Sequence, residues 1–408
     1  MSCKVVLSFC VFSSAVCAGG FDSSGRPFEI IFGEQSTFEL SVSHFDPSVS
    51  LSVSRDLGDG VSIPSTPINH IVTSYTEPRF GLRLKVNEQV NCAAQLERPF
   101  RFKTQYLDDE LSYQQDNNVA NSQVAAPIDS EYSSESLTLA CGIAFPINAS
   151  FVSGQDAFLS FIAGPKVQRI EGEFSTDLTN QRMGKGDNYR ATLQGSSELG
   201  YLLGLAYEIP SIAFRASLFF HNEVEHDLSG SVVAPLPDFS GLITRDARGK
   251  TITPQALNLR VQSGIAEDWL AFIELRWGDW SSLNQMNVQA AELSSSLVLF
   301  KNDTLNYKLG LGAKVSDRLT LGGYIESYMD LNPPNMPEGI DGTNLRNPQG
   351  DRFSFAFGGK YLLTSSLSIS AGGSYYYIEA GRFSDGFYTV SLDKSDALAL
   401  GTTLNYQF

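Results

Sequence analysis

ALALGTTLNYQF, residues 397–408, alternates between two kinds of side chain. The even positions are apolar or aromatic apart from Thr402, and the odd positions are small or polar. Successive side chains of a β-strand point to opposite faces, so a period of two indicates a strand with one apolar face. We expect this strand to place one face in lipid and the other toward a small or polar interior.

The same alternation recurs along the chain, with little sign of helical periodicity. Working back from the last strand, it predicts fourteen strands, at 37–45, 79–86, 89–98, 132–145, 151–164, 198–208, 211–222, 252–263, 266–277, 304–314, 317–328, 352–363, 366–378 and 397–408. Every second connection is a tight turn, namely 87–89, 146–150, 209–210, 265–267, 315–317 and 364–366, and the others are long and polar. An all-β, transmembrane antiparallel β-barrel of about 14 strands has this pattern. A soluble β-sandwich has no reason to alternate its loop lengths so regularly.

Composition excludes two other classes of protein. No stretch beyond the N-terminus approaches the roughly 18 to 20 apolar residues that a membrane-spanning helix needs, which argues against a helical bundle. The formal net charge is −16, and no basic cluster is present to meet phosphates, so nucleic acid is not an expected partner. Barrel strands read as half polar, so the near-neutral mean hydropathy of −0.09 is compatible with a membrane barrel.

The N-terminus divides into two short segments before the barrel of residues 37–408. Residues 1–18 carry Lys4, an apolar run and small residues up to Ala18, as in a secretory signal peptide. A lipid-anchored Cys17 is the less favoured alternative, because the residues before it lack the usual pattern. Residues 19–36 are long enough to enter the barrel as a short N-terminal hatch or plug, with these apolar candidates: Phe21, Phe28 and Phe32.

Aromatic residues mark the expected membrane interfaces. Trp269 and Trp277 share the apolar face of one strand, and their separation of eight residues spans about 26 Å at roughly 3.3 Å per residue. That distance fits an apolar band of about 25 Å, so we expect one tryptophan at each interface. Tyr406 and Phe408 are further candidate anchors, and Phe408 ends the chain in the manner of many outer-membrane proteins. The outer face would contact outer-membrane lipid and lipopolysaccharide.

The opposite side of each strand gives the interior. It carries mixed charges, which form a rigidifying ladder or, with the basic residues slightly in excess, a channel that favours carboxylates. It also carries large apolar groups, at Phe158, Leu202, Phe219, Leu270, Phe272, Tyr324, Tyr328 and Tyr376. A water-filled pore has little use for them, whereas a conduit for an apolar ligand does. Packing against a plug is the alternative.

Candidate ligand contacts share this inward parity on the seventh to ninth strands. We expect the arginines to meet a carboxylate and the phenylalanines its tail. The candidates are Phe219, Phe272, Arg215, Arg260 and Arg276.

Several sequence blocks resemble the FadL long-chain fatty acid transporter family, which includes the TodX-type hydrocarbon channels. The blocks are Ile252-Thr253-Pro254, Trp269 to Phe272, Trp277-Gly278-Asp279-Trp280-Ser281, Asn306 to Gly310, Ser316 to Tyr324, Asn332-Pro333-Pro334 and Gly373 to Tyr377. The resemblance implies passive uptake of a hydrophobic compound, most simply a long-chain fatty acid. It also implies a lumenal hatch, and lateral exit of the ligand through a gap at a kinked third strand. The family's Asn-Pro-Ala hatch motif is missing here, and no glycine marks a kink in 89–98, although Pro99 could bend its upper end.

Nothing in the sequence indicates an enzyme. The four histidines form no metal-ligand pattern and no Gly-x-Ser-x-Gly motif occurs, so we expect no catalytic residue, no metal site and no cofactor. Cys92 and Cys141 lie at similar heights on neighbouring strands, where a disulfide is possible although two free thiols are the simpler state. The expected partners are a hydrophobic small molecule and, for insertion, the barrel-assembly machinery. A general porin and a structural or adhesive barrel remain the alternatives.

Overall fold

The computed structural model describes residues 28–56, 62–63, 68–105, 124–148, 150–179, 187–236, 240–282, 285–290, 293–299, 303–331, 351–384 and 388–408. Almost all of them lie in antiparallel strands, with three short 3-10 helices at Glu29–Ile31, Pro210–Ile212 and Trp280–Ser282. None of the described helices is long and apolar enough to cross a membrane, which has no bearing on crossing by strands. The strands are β1 (Thr37–Ser48), β2 (Leu51–Asp56), β3 (Ser62–Ile63), β4 (Tyr75–Lys85), β5 (Val90–Glu97), β6 (Arg101–Gln105), β7 (Val124–Ile147), β8 (Ala157–Thr179), β9 (Asp187–Gly195), β10 (Glu198–Ile209), β11 (Phe214–His221), β12 (Val224–Pro235), β13 (Leu242–Thr253), β14 (Ala256–Ala266), β15 (Trp269–Gly278), β16 (Gln285–Ala290), β17 (Leu293–Leu299), β18 (Asp303–Lys314), β19 (Leu319–Leu331), β20 (Arg352–Leu362), β21 (Leu367–Ile378), β22 (Gly381–Ser384), β23 (Tyr388–Leu392) and β24 (Ser395–Gln407).

Fourteen of these strands form a closed barrel, which confirms the predicted fold class. They pair in the order β1, β4, β5, β7, β8, β10, β11, β14, β15, β18, β19, β20, β21 and β24, and β24 pairs back with β1. Closure leaves no free edge in the membrane, as a strand-built span requires. The short connections all lie at one end, which in such barrels faces the periplasm.

The bounds of two barrel strands, the fifth and the eighth, differ from those predicted from the sequence. The fifth barrel strand was placed at 151–164, but residues 151–156 belong to the turn and β8 runs on to Thr179, because the strand continues above the membrane. The eighth was started at 252, whereas Ile252 and Thr253 end β13 and β14 begins at Ala256. In both places the alternation continues where the neighbouring strand changes, from β10 to β9 beside β8 and from β13 to β14 along the chain. The pattern alone therefore does not show where one strand ends.

An apolar band surrounds the barrel. Leu137, Val167 and Leu199 lie side by side on β7, β8 and β10 with their side chains exposed, and Leu199 is 74% exposed. One step further along the outer face of β7 and β8, Glu135 stands opposite Arg169. Exposed apolar side chains are stable in lipid and charged ones in water, so this change of chemistry marks the extracellular edge of the band.

Above that edge the wall continues as an extracellular sheet, here called the cap. It consists of β6, the upper parts of β7 and β8, β9, β12, β13, β16 and β17, paired in that order. Its inner face is an apolar cluster that includes Phe102, Tyr132, Phe174 and Val232. From the sequence these segments are expected to be long polar loops, because the charged outer face of the cap masks their alternation. A separate four-stranded sheet, β22-β23-β2-β3, lies elsewhere among the extracellular connections.

Candidate functional site

Residues 28–36, here called the N-terminal segment, pack into the barrel interior. Phe28, Ile31 and Phe32 are buried in a cluster with side chains from five barrel strands, among them Leu202 and Phe219. The rings of Phe32 and Phe219 lie 6.0 Å apart. The two described plug candidates, Phe28 and Phe32, thus share one apolar cluster, while Phe21 lies outside the described residues.

Arg83 on β4 binds the backbone of this segment. Its guanidinium donates to the carbonyls of Phe32 and Ile30 (3.3 Å for Ile30), and twice to that of Gln35, at 2.8 and 2.5 Å. The same group packs against Gly33, whose φ of +136° suits glycine, and a Cβ there would lie 2.2 Å from an Arg83 nitrogen. The glycine is therefore needed both for its backbone angle and for the approach of the arginine.

Arg215 on β11 holds the same segment from the other side. It lies 3.6 Å from Glu29 and 3.7 Å from Glu208, and its guanidinium stacks 4.3 Å from the centre of the Phe32 ring. Next to these contacts is a cavity of about 270 Å³, lined by both segment and barrel residues such as Phe158. Arg215 is thus already engaged at the periplasmic end of the interior.

A ladder of buried charges crosses β14, β15, β18 and β19. Arg260 donates to Glu274 at 2.9 Å, and Lys308 lies 3.5 Å from Glu274 and 3.5 Å from Glu326. The two cations and two carboxylates cancel, as buried charges must in order to offset their loss of hydration. This geometry agrees with the rigidifying ladder rather than with a free cationic surface, so Arg260 is also engaged.

Two inward phenylalanines lie flat against the barrel wall. The Phe272 ring covers Gly310, where a Cβ would come within 2.2 Å of it, and the Phe219 ring covers Gly204 in the same way. Arg260 stacks on the other face of Phe272, at 4.4 Å. The rings fill the space left by glycines on the neighbouring strand and offer an apolar wall.

Charged and polar side chains also meet at the extracellular end of the interior. Lys166 on β8 reaches the Asn222 carbonyl at 3.5 Å, and it lies within electrostatic range of Arg276 and Glu97. Near them the buried Gln168 uses its carbonyl oxygen for Thr253, but its amide nitrogen has no partner among the described residues. This upper region therefore offers donors that an anionic head group would satisfy.

The five predicted ligand contacts fall into three groups and do not form one site. Arg215 and Phe219 belong to the contacts of the N-terminal segment, Arg260 and Phe272 to the ladder, and Arg276 to the upper interior. All five lie on the predicted inward faces. Sequence reasoning gave their direction but not their partners, because pairing depends on the register between strands.

The barrel wall has an opening between β4 and β5, here called the wall gap. The ladder between them ends at Phe80 and Leu96, and the chains meet again at a bridge between Val72 and Thr104. Residues 74–79 and 97–102 form no ladder with each other, over about 20 Å at roughly 3.3 Å per residue. Below the gap Ala93 and Gln95 face inward, and above it Phe102 and Thr104 do.

Two prolines explain why the ladder stops. The pairing of Phe80 with Leu96, continued by two residues, would set Pro78 opposite Arg98, next to Pro99. Pro78 has no N–H to donate across to β5, where the alternation of this pair would require one, and Pro99 lies at the point where the partner edge departs from regular pairing. On the side facing β7, the three residues 98–100 lie opposite only two residues, 134 and 135, and this mismatch is a β-bulge. Pro99 is the bend expected from the sequence, and Pro78, a proline at the start of an alternating segment, is a second signal of the same kind that the expectation did not include.

Aromatic side chains lie on the inner side of the gap. Tyr75 packs 5.3 Å from Phe45, and Phe100 packs edge-on against Trp280 at 5.5 Å. Both clusters are buried. A tail that leaves the interior through the gap therefore passes between apolar surfaces.

The structure joins Cys92 to Cys141 by a disulfide, where β5 and β7 set the two residues directly opposite each other. Of the anchor candidates, Trp269, Tyr406 and Phe408 have exposed side chains, while Trp277 is half-buried and donates from Nε1 to Asp303 at 3.1 Å. Within the described part of the chain no three His, Cys, Asp or Glu side chains lie close enough to hold a metal ion.

A family model described as outer membrane protein transport protein (OMPP1/FadL/TodX) matches residues 24–408. The chain belongs to this family. It is therefore an outer-membrane β-barrel of a family of transport channels for hydrophobic compounds, and not an enzyme. The predicted resemblance is confirmed.

Solved structures of the FadL/TodX family share the fold. A Pseudomonas aeruginosa FadL homologue superposes with a TM-score of 0.71 at 13% identity, covering 97% of this chain and 96% of its own. The Ralstonia pickettii toluene transporter TbuX gives 0.62 at 14% identity, with 97% and 96% coverage. The P. putida toluene transporter TodX gives 0.58 at 13% identity, with 93% and 92% coverage. Comparison with curated proteins finds no significant match.

Proposed function

We propose that this chain takes up long-chain fatty acids by passive facilitated diffusion. The observation that carries the proposal is the wall gap, which connects an aromatic inner surface to the edge of the lipid-facing band. Phe80 and Leu96, at its lower end, both expose their side chains to lipid. The gap begins at the extracellular edge of the band, so a molecule with a long apolar tail would leave with its head group at that edge and its tail among the lipid chains, where the hydrophobic effect favours the tail.

Inside the barrel, we propose two kinds of contact for the ligand. Lys166 and Arg276 offer a cationic pair for the carboxylate, and the flat rings of Phe219 and Phe272 offer an apolar wall for the tail. Arg215 and Arg260 would contact the carboxylate only by giving up glutamate partners, so their part in binding is secondary.

A second candidate substrate class is the monoaromatic hydrocarbons. Two of the similar structures are toluene transporters, which favours this class. The Gln168 amide nitrogen of the upper interior, which has no acceptor among the described residues, favours a carboxylate instead, because an uncharged hydrocarbon would leave it without one.

The test is expression in a host that lacks its own fatty acid uptake, with labelled oleate and labelled toluene given separately. We expect oleate uptake and growth on oleate to be restored. A triple variant, Phe219→Ala, Phe272→Ala and Arg260→Ala, should lose most of that uptake. Toluene uptake without oleate uptake would replace the proposed substrate by the second class. Large steady ion conductance in planar bilayers would indicate a general porin, and no uptake of either compound a structural or adhesive barrel.

We also infer the roles of the remaining parts. Residues 1–18 act as the export signal and residues 19–36 as a lumenal plug, for which the burial of Phe28 and Phe32 is the support. The apolar band faces lipid and lipopolysaccharide, and the barrel-assembly machinery inserts the chain.

A further inference from the structure

Arg101 is the residue that reaches across the wall gap. It is the first residue of β6, and its Nη1 donates to the Thr76 carbonyl of β4 at 3.4 Å. Its guanidinium also lies 5.2 Å from the centre of the Tyr75 ring. The side chain therefore stands in the opening itself, between the two edges that the missing ladder leaves apart.

The Arg101 guanidinium has an N–H donor without a hydrogen-bond partner among the described residues. Its distance to Glu131 is 3.9 Å, whereas Lys103 holds the same carboxylate at 2.9 Å. Its Nε is buried and has no hydrogen-bond partner among the described residues. A guanidinium carries five N–H donors in a planar fork that matches a carboxylate, and a buried donor without an acceptor is unfavourable. An arriving oxyanion would satisfy donors that the protein leaves open.

The height of Arg101 fits a molecule with a charged head and an apolar tail. Phe80 and Leu96, at the lower end of the gap, expose apolar side chains. Above them Arg98 pairs with Glu135 at 2.9 Å on the outer surface, as expected where the lipid band ends. A head group bound at Arg101 would lie at that boundary while its tail pointed down into the outer leaflet.

We propose that Arg101 binds the carboxylate of the ligand in the wall gap and thereby sets a preference for carboxylates over uncharged molecules at the exit. The proposal rests on the function proposed above. Its role is distinct from that of the interior cations, because Arg101 lies on the outer face of β6, whose inner face carries Phe102.

The test uses the purified full chain in lipid nanodiscs and photoreactive probes. The probes are a diazirine-bearing palmitic acid and its methyl ester, and the readout is labelling of peptides that contain 74–79 and 97–105. Labelling of the lipid-facing peptide 137–145 normalises for partition into the bilayer. We expect the wild type to label the gap with the acid about tenfold more than with the ester, the effect of one charge-assisted hydrogen bond.

Variants then separate Arg101 from its surroundings. Arg101→Gln should bring the ratio of acid to ester close to one, and Arg101→Lys should give an intermediate ratio, because an ammonium keeps the charge but not the fork. Arg98→Gln is the matched control, since it removes a cation at the edge of the same gap that pairs with Glu135 at 2.9 Å, and its ratio should equal that of the wild type. Heat-modified gel mobility shows which variants are folded.

Two outcomes overturn the proposal: a wild-type ratio near one, or an unchanged ratio in both Arg101 variants. If the chain fails to restore oleate uptake in cells, the proposed function fails, while the labelling ratio still decides the role of Arg101.

Discussion

Arg83 faces the interior, as the alternation of β4 predicts, but its main partners are backbone carbonyls of the N-terminal segment. We predict that Arg83→Gln loosens this segment while the barrel stays closed, because each lost charge-assisted hydrogen bond is worth about 1.5–3 kcal/mol. Amide hydrogen exchange in 28–36 should accelerate at least tenfold. Lys85→Gln is the control, since the Lys85 side chain pairs at the periplasmic rim with Glu88, and its contact with the segment, from its backbone N–H to Ser36 Oγ, is kept in the variant. Equal exchange in both variants would show that Arg83 does not hold the segment.

His226 supplies a prediction on pH. It is fully buried on β12 in the cap, and burial lowers the pKa of its imidazole from 6.5 to about 4. Between these values the unfolded cap binds a proton that the folded cap does not, so the cap loses stability as pH falls from about 6.5 to 4. Hydrogen exchange of 224–235, corrected for intrinsic rates, should be more protected at pH 7 than at pH 5. In His226→Gln the difference should disappear, and a difference that persists would assign it to another group.

For single residues, the sequence predicts the face of the strand on which a side chain lies but not the side chains that it contacts. The inward direction of Arg215, Arg260 and Phe272 follows from alternation alone. Their partners do not, since the contact of Arg260 with Glu274 requires knowing that β14 and β15 set these two residues opposite each other. The role of Arg101 was out of reach for the same reason, because it depends on where the pairing between β4 and β5 stops.

Among the elements, β4 and the β5–β6 segment border the wall gap, through which we propose that the ligand leaves. We predict that a cross-link between Pro78→Cys and Arg98→Cys, which would face each other if the ladder continued, abolishes uptake by holding the gap closed. The control is Leu82→Cys with Ala94→Cys, a facing pair within the intact ladder of the same strands, whose cross-link should leave uptake unchanged. Both pairs are placed in a Cys92→Ser, Cys141→Ser background. Uptake of labelled oleate before and after oxidation is the measurement, and transport through an oxidised 78–98 pair would exclude the gap as the exit.

Strands inside the membrane were predictable from the sequence, and strands of the cap were not. In the barrel one face meets lipid, so the apolar residues of β24 recur at every second position with few exceptions. In the cap the apolar face of β12 is just as regular, with Leu228, Val232 and Ala234 buried, but its other face is charged and solvated. Such a segment has the composition of a loop, and only its partners β9 and β13 show that it is a strand.

The position of the whole molecule in the membrane can be measured through its three tryptophans. Trp269 is 47% exposed next to a periplasmic turn, whereas Trp280 is 2% exposed beneath the cap. In single-tryptophan variants with phenylalanine at the other two positions, lipids brominated near the head group should quench Trp269 and Trp277 strongly. Trp280 should resist quenching and emit at shorter wavelength. Stronger quenching of Trp269 by bromine at the chain ends would place the barrel at a different depth.

Fold class and strand number were open to prediction because a closed membrane barrel imposes the same rule on every strand. The interior was less predictable, because the contacts of each side chain there depend on which side chains lie opposite it on neighbouring strands, and not on contact with lipid. The net charge of −16 illustrates the difference: it describes the whole chain, yet the Arg260, Glu274, Lys308 and Glu326 ladder is neutral.

The bond between Cys92 and Cys141 bears on the order of assembly. It closes a loop with a sequence separation of 49 residues, and that loop contains one complete edge of the wall gap. Thiols are oxidised in the periplasm, before a chain reaches the outer membrane. A hairpin of β5 and β7 that is sealed there enters the bilayer with its register already set, so the shape of this edge is decided during transit and not when β24 meets β1.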